Sequence, residues 1–413
     1  MTNARTLSEY LRMKCFAFAL AGLLWSGVSH AGDWPIYRGP HHDGNTRERG
    51  WSTDWPKSGP RQLWKANVGI GFSSVSVSDG RVCTMGNSED KDLVVCFDAV
   101  TGKELWAHEY EAALDTKYYE GGPGSTPTFD GDRVYSLGKH GDLFCFNAKS
   151  GKVLWNVQLE KQAGMRMSTW GYSGAPYPYG DKLLLNVGSA GMALDKKTGK
   201  LIWKSGDAEA GYSTPYPYKS DGKQMFAFSS EHGYVGVDPD TGKEAWKIAW
   251  NTRYGVNASD PIIVGEQIFI SSGYSKGSGL FKLGTKKPDE IWRARRYRNQ
   301  FNCSVLIDGH LYGFDGDSNS RAKLKCVNWE TGEDVWEDGI GFGSLFAAGK
   351  TLFVLSPKGE LMVGQASTKG FKPSARAKVI GGKCWTVPVL ANGLLYCRNA
   401  DGDLVCLDLR AKK

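Results

Sequence analysis

The chain has 413 residues, of which 41% are hydrophobic and 23% are charged, a composition that supports a sizeable core and excludes a disordered protein. Its 53 glycines and 12% aromatic residues are typical of many short strands joined by tight turns. No stretch keeps a 3.6-residue hydrophobic period, which excludes helical bundles, coiled coils and multi-span membrane proteins. The formal net charge of +7 is mild for this length and argues against nucleic acid as a partner.

Residues 1–31 carry the pattern of a secretory signal peptide. Basic residues precede a short apolar run at 15–25, and the segment ends in the small residue Ala31. This run is shorter than the ~20 residues that a membrane-spanning helix needs. We therefore predict cleavage after Ala31 and an exported chain, periplasmic or secreted. An uncleaved anchor is the alternative, and the true start codon is left open between Met1 and Met13.

One motif returns along the rest of the chain at intervals of about 40–50 residues. Its clearest copy is residues 93–106 (LVVCFDAVTGKELW), in which a strand, a Thr-Gly-Lys turn and a Trp follow one another. Earlier in each unit, Asp-Gly or Asn-Gly pairs indicate a hairpin. Four short strands at this period are typical of a β-propeller blade, and eight units can be counted. We expect a Trp to pack between neighbouring blades at Trp64, Trp106, Trp155, Trp203, Trp246, Trp292 and Trp336.

The last unit ends without its outer strand, and residues 61–68 near the other end of the chain supply a strand with Trp64 at the repeat position. Pairing these segments would close the ring and remove a free sheet edge. We therefore predict an all-β, eight-bladed β-propeller over residues 61–409, in which an N-terminal strand closes the last blade. A lead-in arm (32–60) precedes it and a basic tail (410–413) follows. An open solenoid is the alternative.

Eight cysteines follow the predicted signal peptide. They form no CxxC pair, the seven histidines lack zinc spacing, and we predict no metal site. Cys397 and Cys406 flank a tight turn symmetrically, and Cys83 and Cys96 flank a longer loop. Each pair is a candidate disulfide in an exported chain, with paired buried thiols as the alternative.

The Asp-x-x-Thr-Gly-x-x-x-Trp pattern resembles the tryptophan-docking repeat of propellers of the pyrroloquinoline quinone (PQQ) type. These include quinoprotein alcohol dehydrogenases and the propeller of the outer-membrane β-barrel assembly machinery. Residues 33–44 and 384–399 are similar to exported PQQ-binding-like repeat proteins of planctomycetes. The resemblance covers nearly the whole mature chain, and it implies that PQQ and calcium are candidate cofactors. The adjacent Cys-Cys pair common in the dehydrogenases is absent from the sequence, so no cofactor residue is carried over.

The loops that enter the innermost strand of each blade should converge around the central channel. They combine arginines with aromatic residues, which suits anions, sugars or a flat aromatic acid through paired hydrogen bonds and stacking. Solvated arginines and loop-packing aromatics are the alternative. The candidate ligand-binding residues are Trp170, Tyr172, Tyr212, Arg253, Tyr254, Arg296, Arg298, Asn299, Phe301 and Trp385.

Three further motifs are better explained by structure than by chemistry. Residues 315–319 (DGDSN) begin like a calcium loop but lack its later ligands, so we interpret them as a polar turn. Residues 273–277 (GYSKG) match a nucleophile elbow but bridge two strands. Residues 41–43 (HHD) are expected to be exposed in the lead-in arm.

Three functional hypotheses follow. The first is an exported propeller that acts as a binding scaffold, whose central-channel face holds a protein or saccharide partner. The second is a compact PQQ-dependent dehydrogenase of alcohols or sugars. The third is a polysaccharide lyase or hydrolase, with Glu209, His232 or Tyr254 as acid and base. No spacing identifies a catalytic residue, so enzymatic activity stays open. We expect a monomer that is not integral to the membrane.

Overall fold

The computed structural model of the chain describes residues 32–116, 119–284, 286–317 and 321–411. The predicted signal peptide, residues 1–31, lies outside the described residues. Within the described ranges no helix is long and apolar enough to cross a bilayer. The one helix in the described part of the chain, Leu159–Ala163, has five residues and follows a strand of the second blade.

The described residues form eight antiparallel sheets, one for each predicted unit, which confirms the eight-bladed all-β propeller. Chain order and sheet order agree in blades 1 to 6, because each strand reverses through a short turn onto its predecessor. From the innermost strand outwards, blade 1 is Ser76–Ser78, Arg81–Ser88, Lys91–Asp98 and Glu104–Glu111; blade 2 is Thr128–Asp130, Arg133–Leu137, Asp142–Asn147 and Val153–Gln158; blade 3 is Tyr177–Tyr179, Lys182–Leu185, Met192–Asp195 and Leu201–Lys204; blade 4 is Tyr216–Ser220, Lys223–Ser230, Gly233–Val237 and Glu244–Ala249; blade 5 is Ile262–Val264, Gln267–Ser272, Gly277–Lys282 and Asp289–Ala294; blade 6 is Val305–Ile307, His310–Asp315, Lys323–Asn328 and Asp334–Asp338; blade 7 is Ser344–Ala348, Thr351–Leu355, Glu360–Gln365 and Ala375–Lys378; and blade 8 is Val389–Ala391, Leu394–Arg398, Asp403–Asp408 and Arg61–Asn67.

Blade 8 is completed by the N-terminal strand, as the sequence predicted. Arg61–Asn67 pairs antiparallel with Asp403–Asp408 and places Trp64 opposite Cys406. The two ends of the propeller sequence therefore share one sheet, and this pairing joins the first blade to the last. One additional short strand, Asn45–Thr46, pairs in parallel with the innermost strand of blade 7.

The repeat tryptophans dock onto the turn of the following blade. A Cβ built on Gly102, in the turn of blade 1, would lie 2.5 Å from a Trp64 ring atom, and Trp64 Nε1 donates to the carbonyl of Ala99 at 3.1 Å. Blade 5 does not carry the Thr-Gly turn, and Trp246 donates instead to the Tyr218 hydroxyl of its own blade at 2.8 Å. The same contact with a turn glycine recurs at Trp106, Trp155, Trp203 and Trp292.

The lead-in arm crosses the central channel. Trp34 exchanges backbone hydrogen bonds of 2.9 and 2.8 Å with Val77 of blade 1, and the His42 ring lies 4.7 Å from the Tyr177 ring of blade 3. Asn45–Thr46 then pairs with blade 7. Because these blades lie on different sides of an eight-membered ring, the arm must span the channel. His42 is only 5% exposed, so the expectation that residues 41–43 are exposed is wrong for it. Burial lowers the pKa of His42 to about 3.

The eight described cysteines are free and buried. Cys83 lies directly opposite Cys96 on neighbouring strands. Cys397 lies opposite Val405, and Cys406 lies opposite Tyr396. Cross-strand partners share a face and successive residues alternate, so Cys397 and Cys406 point to opposite faces of the sheet. The expected facing of Cys397 and Cys406 is therefore wrong, because residues 399–402 connect the strands instead of a two-residue turn.

Candidate functional site

A cavity of about 310 Å³ opens at one end of the channel. Seven of the eight blades line it, mainly through the segments that precede their innermost strands. Tyr37, from the lead-in arm, is also among the lining residues. Because the arm crosses the channel, Tyr37 forms the floor and the cavity is a closed-ended funnel. Its volume is at the lower end of the ~300–1,000 Å³ typical of small-molecule pockets.

Short hydrogen bonds between neighbouring blades fix the positions of these segments. The amide of Ser74 donates to Thr126 Oγ1 at 3.2 Å, which links blades 1 and 2. The amide of Ala175 donates to Thr214 Oγ1 at 3.2 Å, and the amide of Thr214 donates to Asp260 Oδ1 at 2.8 Å. The side chain before each of these inner strands thus satisfies a backbone group of the adjacent blade. The lining segments are loops, and these hydrogen bonds tie each loop to the neighbouring blade.

One wall of the cavity is built from Phe72, Tyr119, Phe301 and Trp385, which we call the first aromatic wall. Trp385 is at its centre, with its ring centroid 5.9 Å from that of Phe72 at an interplanar angle of 29° and 5.5 Å from that of Phe301. Phe72 in turn lies 5.7 Å from Tyr119. The wall is a continuous aromatic surface that spans blades 6, 8, 1 and 2.

The second aromatic wall consists of Trp170, Tyr212 and Tyr274, from blades 3, 4 and 5. The Trp170 ring lies 6.1 Å from Tyr212 in an edge arrangement. Tyr254, which is 47% exposed, bridges Trp170 and Tyr274 at the rim with ring distances of 6.4 and 4.9 Å. Blade 4 lies across the ring from blade 8, so this wall faces Trp385 over the cavity.

Polar groups complete the lining. Gln300 and Thr386 are both 5% exposed, and among the described residues Gln300 Oε1 and Thr386 Oγ1 have no hydrogen-bond partner. Both atoms are fully buried, and Gln300 Oε1 packs against Gly273, so neither atom is open to a ligand in the cavity. Asn302 is already engaged, because its Nδ2 donates to the carbonyl of Gly343 at 2.5 Å.

The charged lining residues are matched by opposite charges. Asp260 Oδ2 lies 3.9 Å from Arg38 Nε, and both side chains are buried. Burial raises the pKa of Asp260 to about 6, although the Arg38 charge opposes the shift. At the rim, Lys383 forms an ion pair with Glu120, and its Nζ lies 4.3 Å from the centre of the Trp385 ring. The lining therefore presents little net charge to a ligand.

Four of the ten predicted ligand-binding residues line the cavity: Trp170, Tyr212, Phe301 and Trp385. Tyr172 packs inside the propeller, where its hydroxyl donates to the carbonyl of Met165 at 3.1 Å. The alternative interpretation, in which aromatics pack the loops, describes Tyr172 better.

The remaining predicted residues surround the cavity without lining it. Arg298 is paired with Asp315 at 2.9 Å, and Asn299 Nδ2 donates to the carbonyl of Phe314 at 2.9 Å. Arg253 stacks on the ring of Tyr254, the rim residue described above, at 5.2 Å. Arg296 is exposed to solvent. The arginines thus serve pairing and solvation, and the ligand-binding role of these residues stays a prediction.

Sequence reasoning missed Tyr37 and Asp260. Asp260 had a signal: Ser-Asp-Pro at 259–261 stands where blades 2 and 4 carry Ser-Thr-Pro, at 125–127 and 213–215. An acid that replaces a repeat threonine at the channel is a departure from the structural pattern. Tyr37 had no comparable signal, because it belongs to the non-repeating arm.

The ring of four-stranded blades, the docked tryptophans and the funnel over the channel define a PQQ-type β-propeller. A family model described as "Outer membrane protein assembly factor BamB" (PQQ_2) matches residues 90–338, which is more than half of the chain. The protein belongs to this family.

The chain is similar to quinone-dependent dehydrogenases and to a solved BamB structure, among other proteins. The "1-butanol dehydrogenase (quinone)" of Thauera butanivorans is 34% identical over 128 residues, which cover 27% of this chain and 20% of the relative. The chain thus spans about a fifth of the length of this curated relative. Among solved structures, BamB from Moraxella catarrhalis has a TM-score of 0.61 at 15% identity, covering 86% of this chain and 98% of that one. Quinohemoprotein alcohol dehydrogenase from Comamonas testosteroni has a TM-score of 0.62 at 14% identity, covering 92% and 81%. At these identities the structures establish a shared fold.

Proposed function

We propose that the protein is an exported binding propeller that holds a small organic ligand in the funnel on its central-channel face. The observation that carries this proposal is the cavity itself. It combines two facing aromatic walls with charged lining residues, Asp260 and Lys383, that are already matched by opposite charges. Small-molecule sites are typically apolar pockets with a few polar groups that orient the ligand.

Export is supported by the signal-peptide pattern of residues 1–31 and by the family description, which names an outer-membrane assembly factor. Expression of the full chain in a Gram-negative host, followed by N-terminal sequencing of the periplasmic fraction, tests it. We expect a mature protein that begins at Gly32. Full-length protein confined to the cytoplasm would contradict export.

The dehydrogenase alternative is favoured by the similarity to quinone-dependent relatives, but the lining fits its cofactors poorly. Ca²⁺ prefers six to eight oxygen ligands, several of them carboxylates. Of the lining residues that the structure describes, Asp260 is the one carboxylate, and it is engaged by Thr214 and Arg38. The described residues contain no cluster of three or more His, Cys, Asp or Glu suited to a metal. PQQ is a tricarboxylate, whereas Lys383 is the one cation among the described lining residues, and it is paired.

The lyase or hydrolase alternative has weaker support. Glu209 forms an ion pair with Arg166 at 2.9 Å, and the His232 side chain is 73% exposed. Neither residue is among those that line the cavity. A paired acid and a solvated imidazole outside the funnel do not make a positioned acid–base pair.

Thermal unfolding of the purified protein with a library of small ring compounds, and with PQQ in the presence and absence of Ca²⁺, tests the binding proposal. A ligand at about 100-fold its dissociation constant adds about 2.7 kcal/mol of stability, which gives a clear rise in Tm. We expect such rises for some ring compounds, abolished in Trp385→Ala and retained in Trp51→Ala, a tryptophan outside the cavity. A rise with PQQ that depends on Ca²⁺ would favour the dehydrogenase. No rise with any compound would contradict a small-molecule site.

A further inference from the structure

The cavity presents mainly aromatic rings to a ligand. Six residues of the two aromatic walls are half-buried and so keep accessible surface: Phe72, Tyr119, Trp170, Tyr274, Phe301 and Trp385. Apart from Ser173 and Lys383, the non-aromatic polar residues that the structure describes in the lining are at most 5% exposed. Most polar side chains of the lining are therefore buried in its walls, and the accessible surface is largely aromatic.

The buried polar side chains are engaged within the protein. Ser74 Oγ donates to the carbonyl of Val387 at 2.8 Å, and the hydroxyls of Thr126 and Thr214 accept backbone amides of neighbouring blades. A ligand that brought its own N–H or O–H donors into the cavity would leave some of them without acceptors, which weakens binding. The site therefore favours a ligand whose binding does not depend on hydrogen bonds.

Aromatic rings attract positive charge, because their faces carry a negative electrostatic potential. Two rings of the first aromatic wall already contact ammonium groups of the protein. Lys383 Nζ lies 4.3 Å from the centre of the Trp385 ring, and Lys139 Nζ lies 4.6 Å from the centre of the Tyr119 ring. These contacts show that the rings of this wall are positioned to stabilise a cation.

The formal charges around the cavity are matched, so the rings decide which ligand charge is favoured. Lys139 is paired with Asp115 at 3.0 Å, and Lys383 is paired with Glu120. The carboxylate of Asp260 is matched by an arginine, as described above. The ring faces then favour a cation over an anion. A primary ammonium group brings N–H donors that need acceptors, whereas a nitrogen bonded to carbon alone carries the same charge without a donor.

We propose that the ligand is an organic cation with a quaternary nitrogen, one that is bonded only to carbon. This inference rests on the proposed function and names its ligand class. The charged group lies between the two aromatic walls, with Trp385 on one side and Trp170 on the other. Its positive charge interacts with the ring faces, and its carbon atoms displace water from them.

Isothermal titration of the purified protein with shape-matched probes tests the ligand class. The two-ring probes are N-methylquinolinium (a cation), quinoline (uncharged at neutral pH) and 2-naphthoate (an anion). The open-chain probes are choline, its neutral isostere with carbon in place of nitrogen, and ethanolamine, which carries a primary ammonium group. We expect N-methylquinolinium, choline or both to bind at least tenfold more tightly than the neutral, anionic and primary-ammonium counterparts.

A quaternary nitrogen occurs in small free molecules and in the head group of phosphatidylcholine. Flotation of the protein with phosphatidylcholine vesicles separates these two sources. Retention on the vesicles that excess choline releases would indicate the lipid head group. Binding of choline or N-methylquinolinium without retention on the vesicles would indicate a free molecule.

Variants of Trp170 distinguish a contact between cation and ring from apolar burial alone. Trp170→Phe keeps an aromatic face, whereas Trp170→Leu keeps an apolar side chain without one. We expect Trp170→Leu to weaken binding of the cation at least tenfold and Trp170→Phe to weaken it less, with an unchanged unfolding midpoint in the absence of ligand. Trp385→Leu repeats the test on the opposite wall. Trp51→Leu is the matched control and should keep the parent affinity, because Trp51 packs on Phe353 and is not among the lining residues.

The outcomes separate the two proposals. Quinoline binding as tightly as N-methylquinolinium, together with equal binding of choline and its neutral isostere, would overturn the cation and leave the small-molecule site intact. Tighter binding of 2-naphthoate would do the same. Cation binding that survives both Trp170→Leu and Trp385→Leu would place the ligand elsewhere and overturn the inference. Silence from every probe would overturn the ligand class, and it would also overturn the proposed function if no compound of the thermal-unfolding library gave a rise in Tm.

Discussion

Closure of the ring can be tested at Gly102, the turn residue of blade 1 on which Trp64 of blade 8 docks. The Gly102 φ angle is +70°, and an added Cβ would lie 2.5 Å from the Trp64 ring. Gly102→Ala should therefore incur two costs: about 1–2 kcal/mol for an L-residue in the left-handed region, and about 1–3 kcal/mol for displacing the tryptophan. Gly80→Ala is a matched control in the same blade, because Gly80 has a φ of +71° and no atom within 4 Å of the added Cβ.

Urea unfolding of the parent and the two variants measures the difference. We expect Gly80→Ala to lower the free energy of unfolding by about 1–2 kcal/mol and Gly102→Ala to lower it by about 1–3 kcal/mol more. Gly151 and Gly131 provide the same comparison in blade 2, since a Cβ on Gly151 would lie 2.6 Å from the Trp106 ring and one on Gly131 would meet nothing within 4 Å. Equal losses within each pair would refute the idea that tryptophan docking holds neighbouring blades together.

Three further predictions concern titration and thiols. Burial lowers the pKa of His42 to about 3 from an ordinary ~6.5, so the stability that depends on its neutral form is full above pH 6.5. This stability is lost as the pH falls below 6.5, by up to about 1.4 kcal/mol per pH unit. His42→Gln should remove that slope in pH-dependent urea unfolding, and an unchanged slope would contradict a buried neutral imidazole. Asp260 should have the opposite effect, because its pKa is raised to about 6 from an ordinary ~3.9 and its protonated form favours the folded state. Its contribution to the free energy of unfolding therefore falls as the pH rises from about 4 to 6. Asp260→Asn should make the measured stability increase more steeply with pH across that range. Peptide mapping of protein purified without reductant should find no disulfide between Cys397 and Cys406, since they point to opposite faces of their sheet; recovery of that linked peptide would contradict the strand register.

The repeat architecture could be predicted because short segments of sequence determine it. Each blade contains its own strands, hairpin turns and docking tryptophan, so the period and the Thr-Gly turns were enough to count the blades. Closure was also predictable, because the last unit lacked a strand and the segment around Trp64 supplied a matching one. The interpretation of 273–277 as a link between strands depended on the same local pattern, and Gly277–Lys282 is indeed a strand.

The site depended on distances that no local pattern contains. Tyr172 and Tyr212 occur in similar loops, yet one packs inside a blade and the other lines the cavity, because a small change in position turns a side chain from the interior to the channel. The loop composition therefore selected four residues that line the cavity and six that do not, and a ligand-binding role for any of them stays a prediction.

The sequence alone determined the class of fold, the number of blades and the way the ring closes, since these follow from hydrophobic period and turn chemistry. Only the tertiary structure decided that the lead-in arm crosses the channel, that Tyr37 forms the floor of the funnel, and that Asp260 lies beside Arg38. These contacts join segments more than 200 residues apart, and they form only once all eight blades have brought their inner strands around one axis.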